Sequence, residues 1–192
     1  MYPYEKMIAV TDRNLCRSDF LTQVRKVAAL HPNALILRER DLSDGVYLEL
    51  AGQVQEICRS EEVPFFVHAR IEIAREIGCP NVHLPLPVLR GLGGRRPAGF
   101  PKASSCVSVS CHSMEDMQEA VSAGADRIIL GTIFETACKK GLRGTGLSFV
   151  QEISSACPVP VYAIGGIKES NIDAVIAAGA AGGCMMSRFM EL

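Results

Sequence analysis

A short basic, glycine-rich segment is the first feature of this sequence that suggests chemistry. It reads FETACKKGLRGTG and spans residues 134–146. Its basic side chains, Lys139, Lys140 and Arg143, repel one another unless an anion or solvent lies between them, and its glycines make it costly to order. Two interpretations are open: a mobile surface loop, or a lid over a phosphorylated ligand, with Thr136 and Lys139 facing that ligand.

Histidines offer a second kind of chemistry, because an imidazole can gain or lose a proton near neutral pH. His68 and His112 each follow an apolar, strand-like run. His83 lies inside such a run, where we expect it to be packed, and we expect His31 at the surface near a helix end. Cys111 adjoins His112, but consecutive side chains in a strand point to opposite faces, which argues against a reactive Cys–His pair.

A third candidate is a pair of adjacent glycines. The segment YAIGGI, residues 162–167, ends a strand-like run with Gly165 and Gly166, and the next such run leads into MMSRF with Ser187. Backbone N–H groups of glycine can approach a phosphate closely. A double glycine is also common in ordinary turns, so its meaning depends on the fold that carries it.

The elements that must position these residues show a weak repeat. AREIGCPNVHL from Ala74, AVSAGADRIIL from Ala120 and VIAAGAAGGCM from Val175 each carry an apolar residue four positions before a glycine and end in a strand-like run. A helix that closes on a left-handed glycine and leads into a buried strand has this form. The repeat therefore predicts βα units.

Near-continuous apolar runs predict eight buried parallel strands, and YLELAGQVQEICRSE has the apolar spacing of a helix between two of them. The predicted strands are residues 7–11, 34–38, 65–67, 82–84, 106–110, 127–130, 161–164 and 183–185. We predict an α/β fold, a compact (β/α)8 TIM barrel forming one domain over residues 1–192, with an open doubly wound sheet as the alternative. In a barrel, the segments that follow the strands share one rim, where substrates bind.

Composition excludes several classes of protein. The 192 residues carry 20 Lys and Arg against 21 Asp and Glu, a net charge of −1, so we expect no nucleic acid and no membrane partner. The N-terminus shows no signal pattern, and we expect a cytoplasmic homo-oligomer, in the form of a dimer. The eight cysteines lack metal-binding spacing, so we expect reduced thiols, no metal and no cofactor.

With these features assembled, the sequence resembles the thiamine phosphate synthase and TenI superfamily over nearly its whole length. VTD, LRERD, HAR, VHLP, CHSMEDMQEA, FETACKKGLRGTG and AIGGI occur in the family's order. The synthase branch typically reads Gln-Leu-Arg-Glu-Lys after strand two, Asn-Asp after strand three and a further Asp after strand four. Here Ile36 stands for the Gln, His68 and Ala69 for the Asn-Asp pair, and Val88 for the later Asp.

This departure bears on the activity that the resemblance implies. In the synthase branch the two aspartates hold the Mg²⁺ that neutralises the displaced pyrophosphate, and hard cations need oxygen ligands, which Ala69 and Val88 do not provide. The chain therefore resembles TenI-type proteins, whose enzymatic members are thiazole tautomerases. The implied function is an isomerase of thiamine biosynthesis that aromatises a carboxylated dihydrothiazole ethyl phosphate by proton transfer. Thiamine phosphate synthase (a transferase) and a non-catalytic binder of thiamine-related phosphates are the alternatives.

The same resemblance assigns the site residues. His112 matches the catalytic histidine of TenI proteins and would carry the proton. The residues expected to bind the phosphorylated thiazole ligand are Arg38, His68, Thr136, Lys139, Gly165, Gly166 and Ser187. Arg188 stands where the family often has a small residue, and it could strengthen or obstruct the phosphate site. The family continues through a final helix beyond Leu192, so we expect a barrel without the full final helix, with apolar faces near its first and last strands left bare.

Overall fold

Eight parallel strands form a closed barrel in chain order and alternate with helices. The computed structural model describes residues 4–135 and 144–192. The strands are β1 (Met7–Val10), β2 (Ala34–Leu37), β3 (Phe65–His68), β4 (Asn81–Pro85), β5 (Cys106–Cys111), β6 (Arg127–Gly131), β7 (Val161–Ile164) and β8 (Gly182–Met185). The predicted (β/α)8 TIM-barrel fold is therefore confirmed, and the open sheet is excluded.

The helices connect successive strands, and two short 3-10 helices, Tyr4–Lys6 and Arg13–Leu15, flank β1. The α-helices are α1 (Phe20–Ala28), α2 (Asp44–Ser60), α3 (Ile71–Glu76), α4 (Leu86–Gly91), α5 (Met114–Ser122), α6 (Gly146–Ala156), α7 (Ile172–Ala177) and α8 (Ser187–Met190). No helix within the described ranges is long and apolar enough to cross a membrane.

The strands form where the sequence pattern predicts them, with each end within one residue of the predicted one, and two of the differences are informative. The predicted β3 and β5 each end one residue too early, before His68 and Cys111. Backbone pairing nevertheless continues through both residues, with His68 beside His83 and Cys111 beside Leu130. Strand ends are set by the hydrogen-bonded ladder as well as by side-chain polarity.

The predicted βα repeat has a defined structural cause. Gly78, Gly124 and Gly179 follow α3, α5 and α7 and have φ angles of +64°, +90° and +100°. Each glycine N–H bonds to the carbonyl three residues earlier, and the next N–H bonds to the carbonyl five residues earlier. This is the Schellman arrangement, in which a left-handed glycine satisfies the last carbonyls of a helix and turns the chain towards the next strand.

The chain divides into two compact units, here called the first unit (residues 4–83 and 186–192) and the second unit (residues 84–135 and 144–185). In the first unit, α8 is a single turn of four residues, yet its Phe189 and Met190 are buried. The amide of buried Gln23 on α1 donates to the Phe189 carbonyl at 2.7 Å. The apolar faces expected to lie bare near the first and last strands are covered, since every residue of β1 and of β8 is buried.

The second unit contains a long connection between α4 and β5 that Arg96 holds in place. Its guanidinium donates to the Gly124 carbonyl at 2.6 Å, to Asp126 at 2.6 Å and to the Ser105 carbonyl at 3.0 Å. Asp126 also accepts the Val107 N–H at 2.8 Å. One arginine thus fixes the entry into β5, the strand that leads to His112.

Candidate functional site

The connection from β2 to α2 in the first unit is built around a buried carboxylate. Glu39 is 2% exposed and accepts hydrogen bonds from the Thr11 hydroxyl at 2.7 Å and from the Arg13 N–H at 3.1 Å. The Thr11 hydroxyl oxygen in turn accepts the N–H of Arg38 at 2.9 Å. These bonds satisfy the buried acid and fix the backbone on either side of it, where Arg38 and Arg40 lie.

The side chain of Arg13 ties this connection to the 3-10 helix after β1. It donates to Glu39 at 3.0 Å and forms a two-pronged ion pair with Asp41, at 2.6 and 2.5 Å. The hydrogen bond from Arg13 holds the pKa of the Asp41 carboxyl well below its usual range. Both carboxylates are therefore occupied by one guanidinium, in the fork geometry that favours such pairs.

Arg70 closes the other side of the same connection, a role that sequence reasoning missed. Its guanidinium donates to the Leu42 carbonyl at 2.5 Å, to the Glu39 carbonyl at 3.3 Å and to Asp44 at 2.9 Å. It also lies 4.2 Å from the centre of the Tyr47 ring, a cation–π contact. Only the spacing of HAR after a strand marked this residue, and that spacing does not reveal its backbone partners.

His68, predicted to bind or orient the substrate, ends β3 and is 7% exposed. Its ring centre lies 5.7 Å from that of His83, which is buried within β4 as predicted. Burial and the charges of Arg38, Arg40 and Arg70 lower the pKa of His68 to about 4. His68 is thus a neutral imidazole at physiological pH, which suits hydrogen bonding better than proton transfer.

His112 directly follows β5 in the second unit and is exposed. Its Nδ1 lies against the Gly131 carbonyl oxygen, and its backbone N–H donates to Asp116 at 2.9 Å. A carbonyl oxygen can only accept, so Nδ1 carries the proton and Nε2 of the neutral ring is an acceptor. The ring is therefore held in one tautomer, with a hydrogen-bond acceptor available.

A cavity of about 200 Å³ adjoins His112 within the second unit. Pro85, Leu86 and Pro87 form its apolar wall, and Ser110, Arg90 and Asp116 provide polar groups. Arg90 pairs with Asp116 at 3.4 Å and with Glu119 at 2.7 Å, so its charge is already balanced. The cavity can take a small, mostly apolar ring with a few hydrogen-bonding groups.

Cys111 is inert in this environment. It is 0% exposed, and burial raises the pKa of its thiol to about 12. A thiol that stays protonated at neutral pH is a poor nucleophile. The sequence argument against a reactive Cys111–His112 pair therefore agrees with the structure, and the cysteines among the described residues are free thiols.

Gly165 and Gly166 lie after β7 at a point of close backbone approach. Phe134 N–H donates to the Gly165 carbonyl at 3.0 Å, continuing the pairing of β6 with β7. A Cβ at Gly165 would lie 2.5 Å from Thr132 Cγ2, and one at Gly166 would lie 2.7 Å from Phe134 Cβ. Only glycine fits here, and the positive φ angles of +101° and +65° reinforce this requirement.

The N–H groups of these two glycines are candidates for a phosphate site. Neither N–H donates to another group among the residues that the structure describes. The loop is held from the other side, because Asn171 Nδ2 donates to the Gly166 carbonyl and Asn171 Oδ1 accepts the Lys168 N–H, both at 2.8 Å. Fixed, available backbone donors can bind a phosphate oxygen without further rearrangement.

The remaining predicted anion-binding residues fall in three places. Arg38 follows β2 in the first unit, and its Nη1 lies 3.9 Å from Met186 Sδ. Ser187 begins α8 in the first unit and, like Arg188, is exposed. Thr136 and Lys139, the predicted ligand-facing residues of the basic loop, lie outside the described residues.

The two positions that the resemblance assigns to Mg²⁺ ligands do not fit that ion. Ala69 has a left-handed backbone with φ +61° and offers only a methyl group, and Val88 lies on α4. Across residues 4–135 and 144–192, no group of three or more His, Cys, Asp or Glu side chains could hold a metal ion. Magnesium needs oxygen ligands in near-octahedral geometry, which these two positions do not supply.

Comparisons with known proteins point to one family. The family model described as thiamine monophosphate synthase matches residues 7–189. The thiamine-phosphate synthase of Clostridium tetani is 30% identical over 169 residues, covering 85% of this chain and 77% of the relative. The putative thiamine-phosphate synthase 2 of Aquifex aeolicus is 30% identical over 193 residues, covering 97% and 98%.

Solved structures support the fold. A thiamine phosphate pyrophosphorylase from Pyrococcus furiosus superposes with a TM-score of 0.78 at 24% identity, covering 95% of this chain and 85% of that protein. At this identity the likeness supports the barrel alone.

These findings correct the predicted function. The thiazole tautomerase interpretation is wrong, because the relatives that match most of the chain are named thiamine-phosphate synthases. Its physical weakness is that it rested on two side chains, Ala69 and Val88. Loss of a carboxylate removes one way to hold a cation, but it does not create a proton-transfer site. Matched over residues 7–189, the chain belongs to the thiamine monophosphate synthase family.

Proposed function

We propose that this chain is a thiamine-phosphate synthase, a transferase that joins a pyrimidine pyrophosphate to a thiazole phosphate and releases pyrophosphate. The observation that carries the proposal is 30% identity to relatives of that name over 85% or more of the chain. The chemistry asks for two separate anion-binding groups, one for the phosphate of the thiazole and one for the leaving pyrophosphate. The described residues offer candidates for both.

The thiazole phosphate is assigned to the N–H groups of Gly165 and Gly166. They lie after β7, where (β/α)8 barrels commonly bind phosphate. Thr132 and Phe134 lie so close to these glycines that neither position could carry a side chain. Preformed donors hold a phosphate without a further loss of backbone entropy. Ser187, exposed at the start of α8, is a separate candidate for a phosphate contact through its hydroxyl.

The pyrophosphate is assigned to the β2–α2 connection of the first unit. Arg38 lies there beside the buried Glu39 network, which holds the backbone in place. Guanidinium groups match phosphate oxygens in geometry and in charge. His68 is neutral and buried nearby, so it can contribute a hydrogen bond without adding another positive charge beside the arginines.

His112 is assigned a positioning role. The Gly131 carbonyl keeps the proton on Nδ1, so Nε2 can accept a hydrogen bond from a ring substituent in the adjoining cavity. This acceptor needs no change of protonation during the reaction. We expect it to orient the substrate ring, since correct orientation of two reacting groups contributes substantially to rate.

A non-catalytic binder of thiamine-related phosphates is a second candidate. The observation that favours it is the absence of carboxylates at Ala69 and Val88, the positions that the synthase branch uses. Such a protein would keep the glycine N–H groups and the arginines but would not turn over.

One experiment tests both candidates. The protein is incubated with the pyrimidine pyrophosphate and the thiazole phosphate, in Mg²⁺ and separately in EDTA, and thiamine phosphate and pyrophosphate are measured against a no-enzyme control. Formation of both products above the control, in either buffer, supports the synthase. Binding of the substrates without turnover supports the binder, and failure to bind either substrate contradicts both.

A further inference from the structure

We infer that Tyr47 is a positioning residue for the pyrophosphate site, because its hydroxyl group fixes the carboxyl ends of β2 and β3 while its ring supports Arg70. The inference rests on the proposed function for the identity of the ligand and for its place at the β2–α2 connection. It is drawn from the two hydrogen bonds of the hydroxyl group and from the contact of the ring, all within the first unit.

The Tyr47 side chain is buried in the first turn of α2, with 0% of the residue exposed. Its hydroxyl group donates to the Leu37 carbonyl at 2.6 Å and accepts the His68 N–H at 3.2 Å. Burial raises the pKa of the phenol, so the group keeps the proton that it donates. The hydroxyl group thus acts as donor and acceptor at once, with a backbone partner in each role.

These two backbone groups form the last step of the pairing between β2 and β3. Leu37 lies beside Val67, and two residues earlier the Leu35 N–H donates to the Pro64 carbonyl at 2.9 Å. In a parallel ladder of this register, the His68 N–H is directed towards the Leu37 carbonyl. The tyrosine hydroxyl group bridges these two groups. One side chain from α2 therefore holds the ends of both strands.

The residues after these strand ends belong to the proposed pyrophosphate site. Arg38 directly follows Leu37, and His68 is itself the last residue of β3. Ala69 has φ +61°, and the Arg70 N–H bonds back to the His68 carbonyl at 2.8 Å, which closes a three-residue turn. Because this turn is so tight, the backbone position of His68 sets the direction in which the Arg70 side chain leaves the strand.

The ring of Tyr47 acts on the same connection through Arg70. The guanidinium lies 4.2 Å from the ring centre and donates to the carbonyls of Glu39 and Leu42 at 3.3 and 2.5 Å. Contact between a planar guanidinium and an aromatic face restricts the orientation of the cation. The hydroxyl group therefore holds the two strand ends, and the ring holds the arginine that fixes the connection between β2 and α2.

The test compares Tyr47→Phe, which removes only the hydroxyl group, with Tyr162→Phe as the matched control. Tyr162 is likewise buried, and the guanidinium of Arg127 lies 4.7 Å from its ring centre, but these residues lie towards the amino ends of β7 and β6. Substrates of (β/α)8 barrels bind at the carboxyl ends of the strands, so the control should leave binding unchanged.

Calorimetry measures binding of inorganic pyrophosphate and, separately, of the thiazole phosphate to the whole chain and to each variant. Tyr47→Phe should weaken pyrophosphate binding about fivefold or more, because the Leu37 carbonyl and the His68 N–H lose their common partner. Binding of the thiazole phosphate, which is assigned to the glycine pair, should change little. In a steady-state assay the KM for the pyrimidine pyrophosphate should rise, and the KM for the thiazole phosphate should not.

A double variant tests whether the hydroxyl group and Arg70 act on the same connection. Tyr47→Phe combined with Arg70→Met should bind pyrophosphate only slightly more weakly than the weaker of the two single variants, because residues that share one structural element are not additive. Losses that simply multiply would contradict a shared role. All measurements are made at a temperature at which thermal unfolding shows each variant to be folded.

The outcomes separate this inference from the proposed function. Thiamine phosphate formation by the natural chain, with pyrophosphate binding unchanged in Tyr47→Phe, would leave the function standing and overturn the inference. Selective loss of pyrophosphate binding in Tyr47→Phe, in a protein that forms no thiamine phosphate, would support the inference and contradict the synthase proposal. Equal losses of affinity for both ligands, or no pyrophosphate binding by the natural chain, would also overturn the inference.

Discussion

Between about pH 7 and pH 5, acidification should destabilise this protein through His68. Its folded-state pKa of about 4 lies below the ordinary value of 6.5, chiefly because burial disfavours the charged ring and secondarily because Arg38, Arg40 and Arg70 repel it. Between these two pKa values, the unfolded chain therefore binds a proton that the folded chain does not bind. Stability from this source is complete above about pH 6.5 and is lost as the pH falls towards about 4.

The size of the effect follows from the shift in pKa. Each pKa unit corresponds to about 1.4 kcal/mol, so the folded state should lose about 2 kcal/mol between about pH 7 and pH 5, and about 3 kcal/mol by pH 4. His68 is 7% exposed, so solvent screening reduces the figure little. The ring of His83, tilted by 34° with its centre 5.7 Å away, is the other imidazole in this environment.

Urea unfolding from about pH 7 to about pH 5 measures this loss directly. His68→Asn removes the titrating ring, so the variant should lose about 2 kcal/mol less than the natural chain over that range. His31→Asn alters an exposed histidine and should keep the full pH dependence. Parallel loss of stability in the natural chain and His68→Asn would refute the reasoning.

Three further predictions, two of them with a matched control substitution, test the local structure by thermal or urea unfolding. Gly166→Ala should cost about 2 kcal/mol or more, because its φ is +65° and its Cβ would overlap Phe134, whereas Gly52→Ala in the open middle of α2 should stabilise by about 0.5–1 kcal/mol. The reverse ranking would contradict the requirement for glycine. Ala69→Gly should stabilise by about 1 kcal/mol by relieving a left-handed alanine, while Ala74→Gly within α3 should destabilise by a similar amount. If both changes destabilise, the strain at Ala69 is not real. Arg70→Met should destabilise the protein and weaken pyrophosphate binding severalfold, since it releases two loop carbonyls; binding that is unchanged would remove Arg70 from its clamping role.

The fold could be predicted from the sequence because its signals are local. Three helix ends carry the same glycine-centred pattern, and the left-handed φ at Gly78, Gly124 and Gly179 gives that pattern its meaning. Parallel strands that are buried on both faces have near-continuous apolar sequences, which is why all eight strands could be predicted. The exact ends of β3 and β5 could not be predicted, because the pairing of His68 and of Cys111 depends on residues in neighbouring strands.

Less of the candidate site than of the fold could be predicted from the sequence. The glycine pair and the position of His112 after β5 could be predicted from their place in the barrel. The clamps formed by Arg70 and by Glu39 could not, because their partners are hydroxyls and backbone carbonyls distant in sequence. The activity was misassigned because two absent carboxylates outweighed the similarity of the whole chain.

The most direct test of the proposed activity is the amount of thiamine phosphate formed from the two phosphorylated substrates, measured by mass spectrometry together with released pyrophosphate. A transferase must form the two products in equal amounts and at a rate proportional to enzyme concentration. Arg38→Ala should reduce both, whereas Arg59→Ala, at an exposed residue of α2 that pairs with Glu56, should leave them unchanged. Recovery of both substrates with no product, in Mg²⁺ and in EDTA alike, would contradict the assignment of this chain as a thiamine-phosphate synthase.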